Sequence, residues 1–213
     1  MSKHNTDSPH EQRMGMDRRI LNISLVISFA LIASGCAVFS PRTAPQTITK
    51  ADARLVIPWG GQYRFRQQRL TEEQSKKVND RLGRQAVQSA GETINYYAVT
   101  RHPKRMTGDS GLVFVEMIDG PQGPLRLVLS LRHQVVQNLV VEDGSAATMI
   151  RHEFLDQFIG RDLEHSFKVE TDPAAFHRIP VPIAPLAGHV ELSQRIADAV
   201  LKVVVLVSVL KLE

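Results

Sequence analysis

The one cysteine in this chain of 213 residues, Cys36, closes the run Leu31-Ile32-Ala33-Ser34-Gly35-Cys36. It follows an apolar segment, Ile20 to Ala30, that is led by Arg18-Arg19. Small residues ahead of a cysteine let a peptidase reach the backbone. A thiol placed there accepts a diacylglycerol, and cleavage then leaves it as the first residue. The apolar segment is too short to cross a bilayer comfortably as a permanent helix and has the layout of a cleaved export signal. An ordinary export signal with an incidental cysteine is the competing reading, although a lone thiol is unusual in an exported chain. Residues 1–35 are therefore expected to be removed as a lipoprotein signal, with Cys36 as the lipid anchor. Ala37 stands where an aspartate would favour retention in the inner membrane, so the expected site is the periplasmic face of the outer membrane of a bacterial envelope.

Other chemistry is sparse. The chain has no phosphate loop, no dinucleotide fingerprint, no His-Glu-x-x-His and no Gly-x-Ser-x-Gly elbow. Six histidines follow the signal, His102, His133, His152, His165, His177 and His189, and none is spaced three or four from another as a metal pair on a helix would be. Glu153 and Asp156 share a helix face, an arrangement common on solvated helices. No catalytic residue and no metal site is expected, and the protein is not read as an enzyme. After residues 1–35 the chain keeps 22 basic and 19 acidic side chains, a nearly balanced set. The basic residues are dispersed rather than gathered between aromatics, so the charge gives no case for nucleic acid binding and none is expected as a partner; a weak attraction to anionic head groups is the most it supports. Without a second cysteine no internal disulfide can form, so stability must come from burial.

The elements that position these residues follow from periodicity. Residues 36–53 hold Pro41 and Pro45 and little apolar pattern, and read as a tether; residues 54–213 are the domain. Leu55 to Gly61 is apolar and then broken by Pro58 and two glycines, either a short strand or a packed loop, with Trp59 as a core or rim plug. Thr71 and Gln74 form a capping box that opens a helix over Glu72 to Ser89, with Val78, Leu82 and Ala86 on its apolar face. Strand periodicity then starts at Thr93 and returns in Gly111–Ile118, Leu125–Leu131 and Val135–Val141, with turns between them; strands this close pair antiparallel. A short helix carries Phe154, Leu155 and Phe158 on one side and stops at Gly160. The last element runs from Leu192 to about Leu210, with Asp198 and Lys202 directed away from its apolar face. Its Val203–Val209 tail fits a helix or a strand and should be buried. The fold class is α+β: a twisted antiparallel sheet with a helix before it and helices after it.

This order of elements, with Phe154-Leu155-Asp156-Gln157-Phe158-Ile159-Gly160-Arg161 and a final helix, resembles the extracytoplasmic FMN-binding domain family. That domain occurs in the C subunit of sodium-translocating NADH:quinone reductase and in the G subunit of the Rnf complex. The resemblance spans roughly Leu70 to Val207. It implies a flavoprotein of envelope electron transport whose FMN phosphate is esterified to a threonine in Ser-Gly-Ala-Thr-x-Ser/Thr-Ser. Placed on this chain, the motif puts Ala187, Gly188, His189 and Val190 at its first four positions, Leu192 at its second hydroxyl and Ser193 at its last serine. The acid usually found about six before the acceptor is Ala184. Valine cannot form the phosphoester, so no covalent flavin is expected. Gly188, His189, Val190 and Ser193 are the candidate cofactor-binding residues. Two readings stay open: an accessory of a membrane redox complex that holds FMN noncovalently, and a noncatalytic scaffold or assembly lipoprotein that has lost flavin binding.

Overall fold

A computed structural model describes residues 47–59, 61–87, 91–100, 110–142 and 149–212. The expected export signal, Cys36 and the first part of the expected tether lie outside the described residues. The elements in chain order are α1 (Lys50–Val56), β1 (Gln62–Arg69), α2 (Glu72–Leu82), β2 (Thr93–Thr100), β3 (Ser110–Gly120), β4 (Gly123–Arg132), β5 (Val135–Glu142), α3 (His152–Asp156), a 3-10 turn (Pro173–His177) and α4 (Val190–Leu210). The five strands form one antiparallel sheet in the order β1-β2-β3-β4-β5. The α+β class expected from periodicity is the class observed.

Alternation decides what each face of the sheet covers. Leu125, Leu127, Leu129 and Leu131 of β4 join Leu112 and Phe114 of β3 on one face, under α2, α3 and α4. Val128, Val113, Val115 and Val99 point the other way and are covered by Ile48, Ala53 and Val56 of the α1 segment. Strand β4 is therefore buried on both sides, which is why its polar positions are few. The β4–β5 hairpin turns on His133 and Gln134 at φ 50° and 66°, the left-handed pair that a two-residue loop requires. The β4–β5 pairing shifts register between Ser130, opposite Asn138, and Leu131, opposite Val136, leaving Gln137 as the extra residue.

Several boundaries differ from expectation, each for a local reason. Helix α2 ends at Leu82 rather than Ser89, because Gly83 takes φ 63° and returns its N–H to the carbonyls of Asn79 and Asp80. Asn79 then holds the departing chain: its side-chain oxygen accepts from the amides of Ala86 and Val87 at 2.8 and 3.0 Å, and its Nδ2 donates to the Val87 carbonyl. Ala86 is thus not a helix-face residue. The Thr71–Gln74 box forms as expected, with bonds of 3.2 and 3.0 Å. Strand β1, Gln-Tyr-Arg-Phe-Arg-Gln-Gln-Arg, had no place in the sequence-based reading. It is an edge strand that packs little apolar surface and pairs with β2 so that Phe65 lies opposite Tyr97.

The end of the expected tether is also ordered. Thr49 caps α1, its hydroxyl accepting from the Asp52 amide while the Asp52 carboxylate accepts from the Thr49 N–H at 2.5 Å. Leu55 and Val56 belong to this helix, not to a strand or loop. The buried Asp52 also takes both Nη atoms of Arg126 at 2.5 Å, and Arg126 reaches on to Glu142. Burial by itself raises the Asp52 carboxyl, but the hydrogen bonds from Arg126 and Thr49 outweigh it and hold the group below the ordinary aspartate value. Trp59 is 65% exposed and plugs no core.

The valine-rich end of α4 is helical. Val203, Val204, Val205, Leu206 and Val207 are all buried, so packing overrides the weak helix preference of β-branched residues. Lys202 turns inward, contrary to expectation, and its Nζ lies 3.1 Å from the Glu116 carboxylate of β3. Burial pushes the Glu116 carboxyl up, and Lys202 opposes that rise. Asp198 pairs with Arg84 at 2.7 Å. Among the described residues no helix is long and apolar enough to cross a membrane.

Candidate functional site

The Phe154–Arg161 segment builds the support on which the start of α4 rests. Phe154 and Phe158 bury their rings edge to face at 5.4 Å, which seats α3 on the sheet. That fixes Gln157. Its side-chain amide pairs twice with the backbone of Ala184, accepting from the N–H at 2.8 Å and donating to the carbonyl at 3.1 Å. The helix stops at Asp156, short of the expected stop at Gly160, and turns carry the chain on; Gly160, at φ 82°, donates to the Val136 carbonyl, while Val136 donates back to the carbonyl of Arg161. The chain is thereby stitched to β5.

Arg161 is buried and gathers four backbone carbonyls. Its Nε donates to Gln157 at 2.6 Å, Nη1 to Ser166 and to Val181 at 2.9 Å, and Nη2 to Pro182 at 3.3 Å. Burial pulls the guanidinium below its ordinary value. The carbonyl dipoles offset that penalty and make Arg161 the hub of the proline-punctuated link, Pro173 to Pro185, that leads to α4. Sequence reading quoted Gln157 and Arg161 only as parts of a pattern, yet both hold the chain leading into the candidate site.

The four candidate cofactor residues lie together at the N-terminal end of α4. Gly188 takes φ 76°, with nothing within 4 Å of where a Cβ would sit. The chain then enters the helix through His189, whose side chain makes no capping bond. Val190 is 44% exposed, and the Glu191 carboxylate beside it is directed to solvent, 3.8 Å from Arg195. Ser193 behaves differently. Fully buried, its hydroxyl accepts from the Leu186 amide at 2.9 Å and donates to the His189 carbonyl at 2.8 Å. His189 N–H also bonds the Leu186 carbonyl at 2.9 Å. The hydroxyl is spent on closing the turn 186–193 upon itself.

Chemically, this corner can offer the first backbone amides of α4, which have no side-chain cap, and the exposed methyls of Val190. It offers no hydroxyl to a phosphate, and Glu191 places a negative charge beside those amides. FMN is the cofactor that the resemblance implies, and at this corner the side chains present do not fit its phosphate. Among the described residues no group of three or more His, Cys, Asp or Glu is placed to hold a metal ion. The Asp52–Arg126–Glu142 cluster escaped sequence reading, although a lone arginine in the apolar alternation Leu125-Arg126-Leu127 was a signal for a buried partner. Compared with known proteins, the chain matches no family model, and no curated protein matches it.

Proposed function

We propose that this protein is a bacterial lipoprotein, held in the envelope through Cys36, whose domain is a noncatalytic scaffold or assembly component of a membrane redox complex. The observation that carries the scaffold reading is the Ser193 hydroxyl, bonded on both sides within its own turn. With Val190 at the acceptor position and Glu191 beside it, a phosphate would meet no donor side chain and one like charge. The resemblance in element order to the extracytoplasmic FMN-binding domain supports the redox setting, and Cys36 with Ala37 supports the periplasmic face of the outer membrane.

A second reading has one observation in its favour. The start of α4 lacks a side-chain cap, and uncapped amides at a helix start suit an anion. In that reading FMN is held noncovalently by an electron-transfer accessory.

The anchor is tested by growing cells with labelled palmitate. Wild-type protein is expected to take up label and to fractionate with membranes, and Cys36→Ser is expected to take up none while the domain stays folded. Label retained by Cys36→Ser would remove the anchor from the account.

A further inference from the structure

The outward surface of α1 and the adjoining edge of the sheet combine features that core packing does not use. Helix α1 carries two exposed basic residues, Lys50 and Arg54, and one acid, Asp52. Asp52 is turned inward and neutralised by Arg126, so the helix shows solvent its cations without its carboxylate. Lys50 and Arg54 lie over the ring of Tyr63 at 5.7 and 5.9 Å. The Tyr63 hydroxyl donates to the Ile57 carbonyl at 2.6 Å, which ties β1 to the turn that holds Trp59. Leu55, Trp59 and Phe65 are exposed large apolar side chains in this same stretch. Cationic heads beside exposed aromatic and aliphatic groups are the composition that settles at the headgroup level of a bilayer.

We propose that this surface of α1 and β1 docks on anionic phospholipid, holding the domain against the membrane to which Cys36 tethers it. The proposal rests on the lipoprotein reading for its occupant. Eleven residue steps separate Cys36 from Thr47, and such a chain spans at most about 40 Å, so an acylated Cys36 keeps the start of α1 within that distance of the lipid. Charge complementarity selects the lipid class: phosphate-bearing anionic headgroups rather than a zwitterionic surface. A surface of this kind sets which side of the domain faces away, toward soluble partners.

Trp59 is the sole tryptophan, so its emission reports on this surface alone. The test uses the mature chain from position 36 with Cys36→Ser, which carries no lipid and contains the whole compact unit Ala44–Glu213. Mixed with phosphatidylglycerol vesicles at low salt, it is expected to sediment with them and to shift Trp59 emission to the blue. Phosphatidylcholine vesicles should do neither. Lys50→Gln with Arg54→Gln, both on an exposed helix face, should weaken binding about tenfold, and salt should weaken the parent protein in the same direction. Absence of binding, equal binding to both lipids, or binding indifferent to salt and to the double variant would overturn the proposal. Palmitate labelling of the wild type depends on Cys36 and not on α1, so failure of the docking surface and failure of the anchor give different patterns.

Discussion

Replacing Phe158 by alanine is expected to lower the unfolding free energy by about 3–5 kcal/mol, through lost transfer energy and the cavity left behind. Phe158 is fully buried, packs edge-on against Phe154, and sits between the sheet and the link that leads to α4. The cavity would open under the Gln157 clamp, so collapse of the surroundings cannot fill it without breaking the pair of bonds to Ala184. Urea denaturation followed by far-ultraviolet circular dichroism measures the change. A loss within error would mean that the Phe154–Phe158 side of this segment does not face the core.

Arg161→Leu is expected to cost about as much by a different route. The substitution keeps apolar bulk but strands the buried carbonyl of Pro182 and the partly buried ones of Gln157, Ser166 and Val181; a buried acceptor left unpaired costs about 1–3 kcal/mol, and the partly buried ones less. Water entering the gap relieves part of that, so a net loss of about 3–5 kcal/mol is expected. Arg161→Lys should rescue little, because one ammonium cannot span the directions that a guanidinium fork serves. Hydrogen exchange localises the effect: the amides of Glu170 and Ile183, bonded to one another's segments, should lose protection before those of β3 and β4. Uniform loss across the sheet would show that Arg161 is not a local hub.

The elements legible in the sequence were those whose pattern is repeated and one-sided. Strand β4, with its four alternating leucines, and the Thr71–Gln74 helix start each carry a signal that needs no distant partner. Strand β1 was not legible, because what orders it lies elsewhere in the chain; helix α1 does carry a local signal, the Thr49–Asp52 capping box, but it is short and also depends on a distant partner. The α1 segment is held by Arg126, 74 positions away, and β1 by pairing with β2. Gly83 was readable as a helix stop, yet Ala86 three residues on kept the apolar period alive and hid it. The valine-rich end of α4 was open between helix and strand because intrinsic preference and burial oppose each other there, and only the packing of α4 against α2, β3 and β4 decides.

At the candidate site, sequence spacing placed Gly188, His189, Val190 and Ser193 at the start of the last helix, where the structure has them. It could not show that the Ser193 hydroxyl closes the turn, since a serine in a helix's first turn looks the same whether it faces a ligand or its own backbone. Lys202 illustrates the same limit: polar by type and so expected outside, it is drawn in by Glu116, a carboxylate flanked by Val115 and Met117 on β3.

The visible absorption spectrum of the purified mature protein, recorded before and after denaturation and again after incubation with excess FMN and gel filtration, tests the proposed function most directly. The account predicts a colourless protein that stays colourless and emerges free of flavin. A yellow protein that releases its colour on unfolding would establish the noncovalent flavin reading in its place, and colour that stays with the unfolded chain would contradict the assignment of Val190 to the acceptor position.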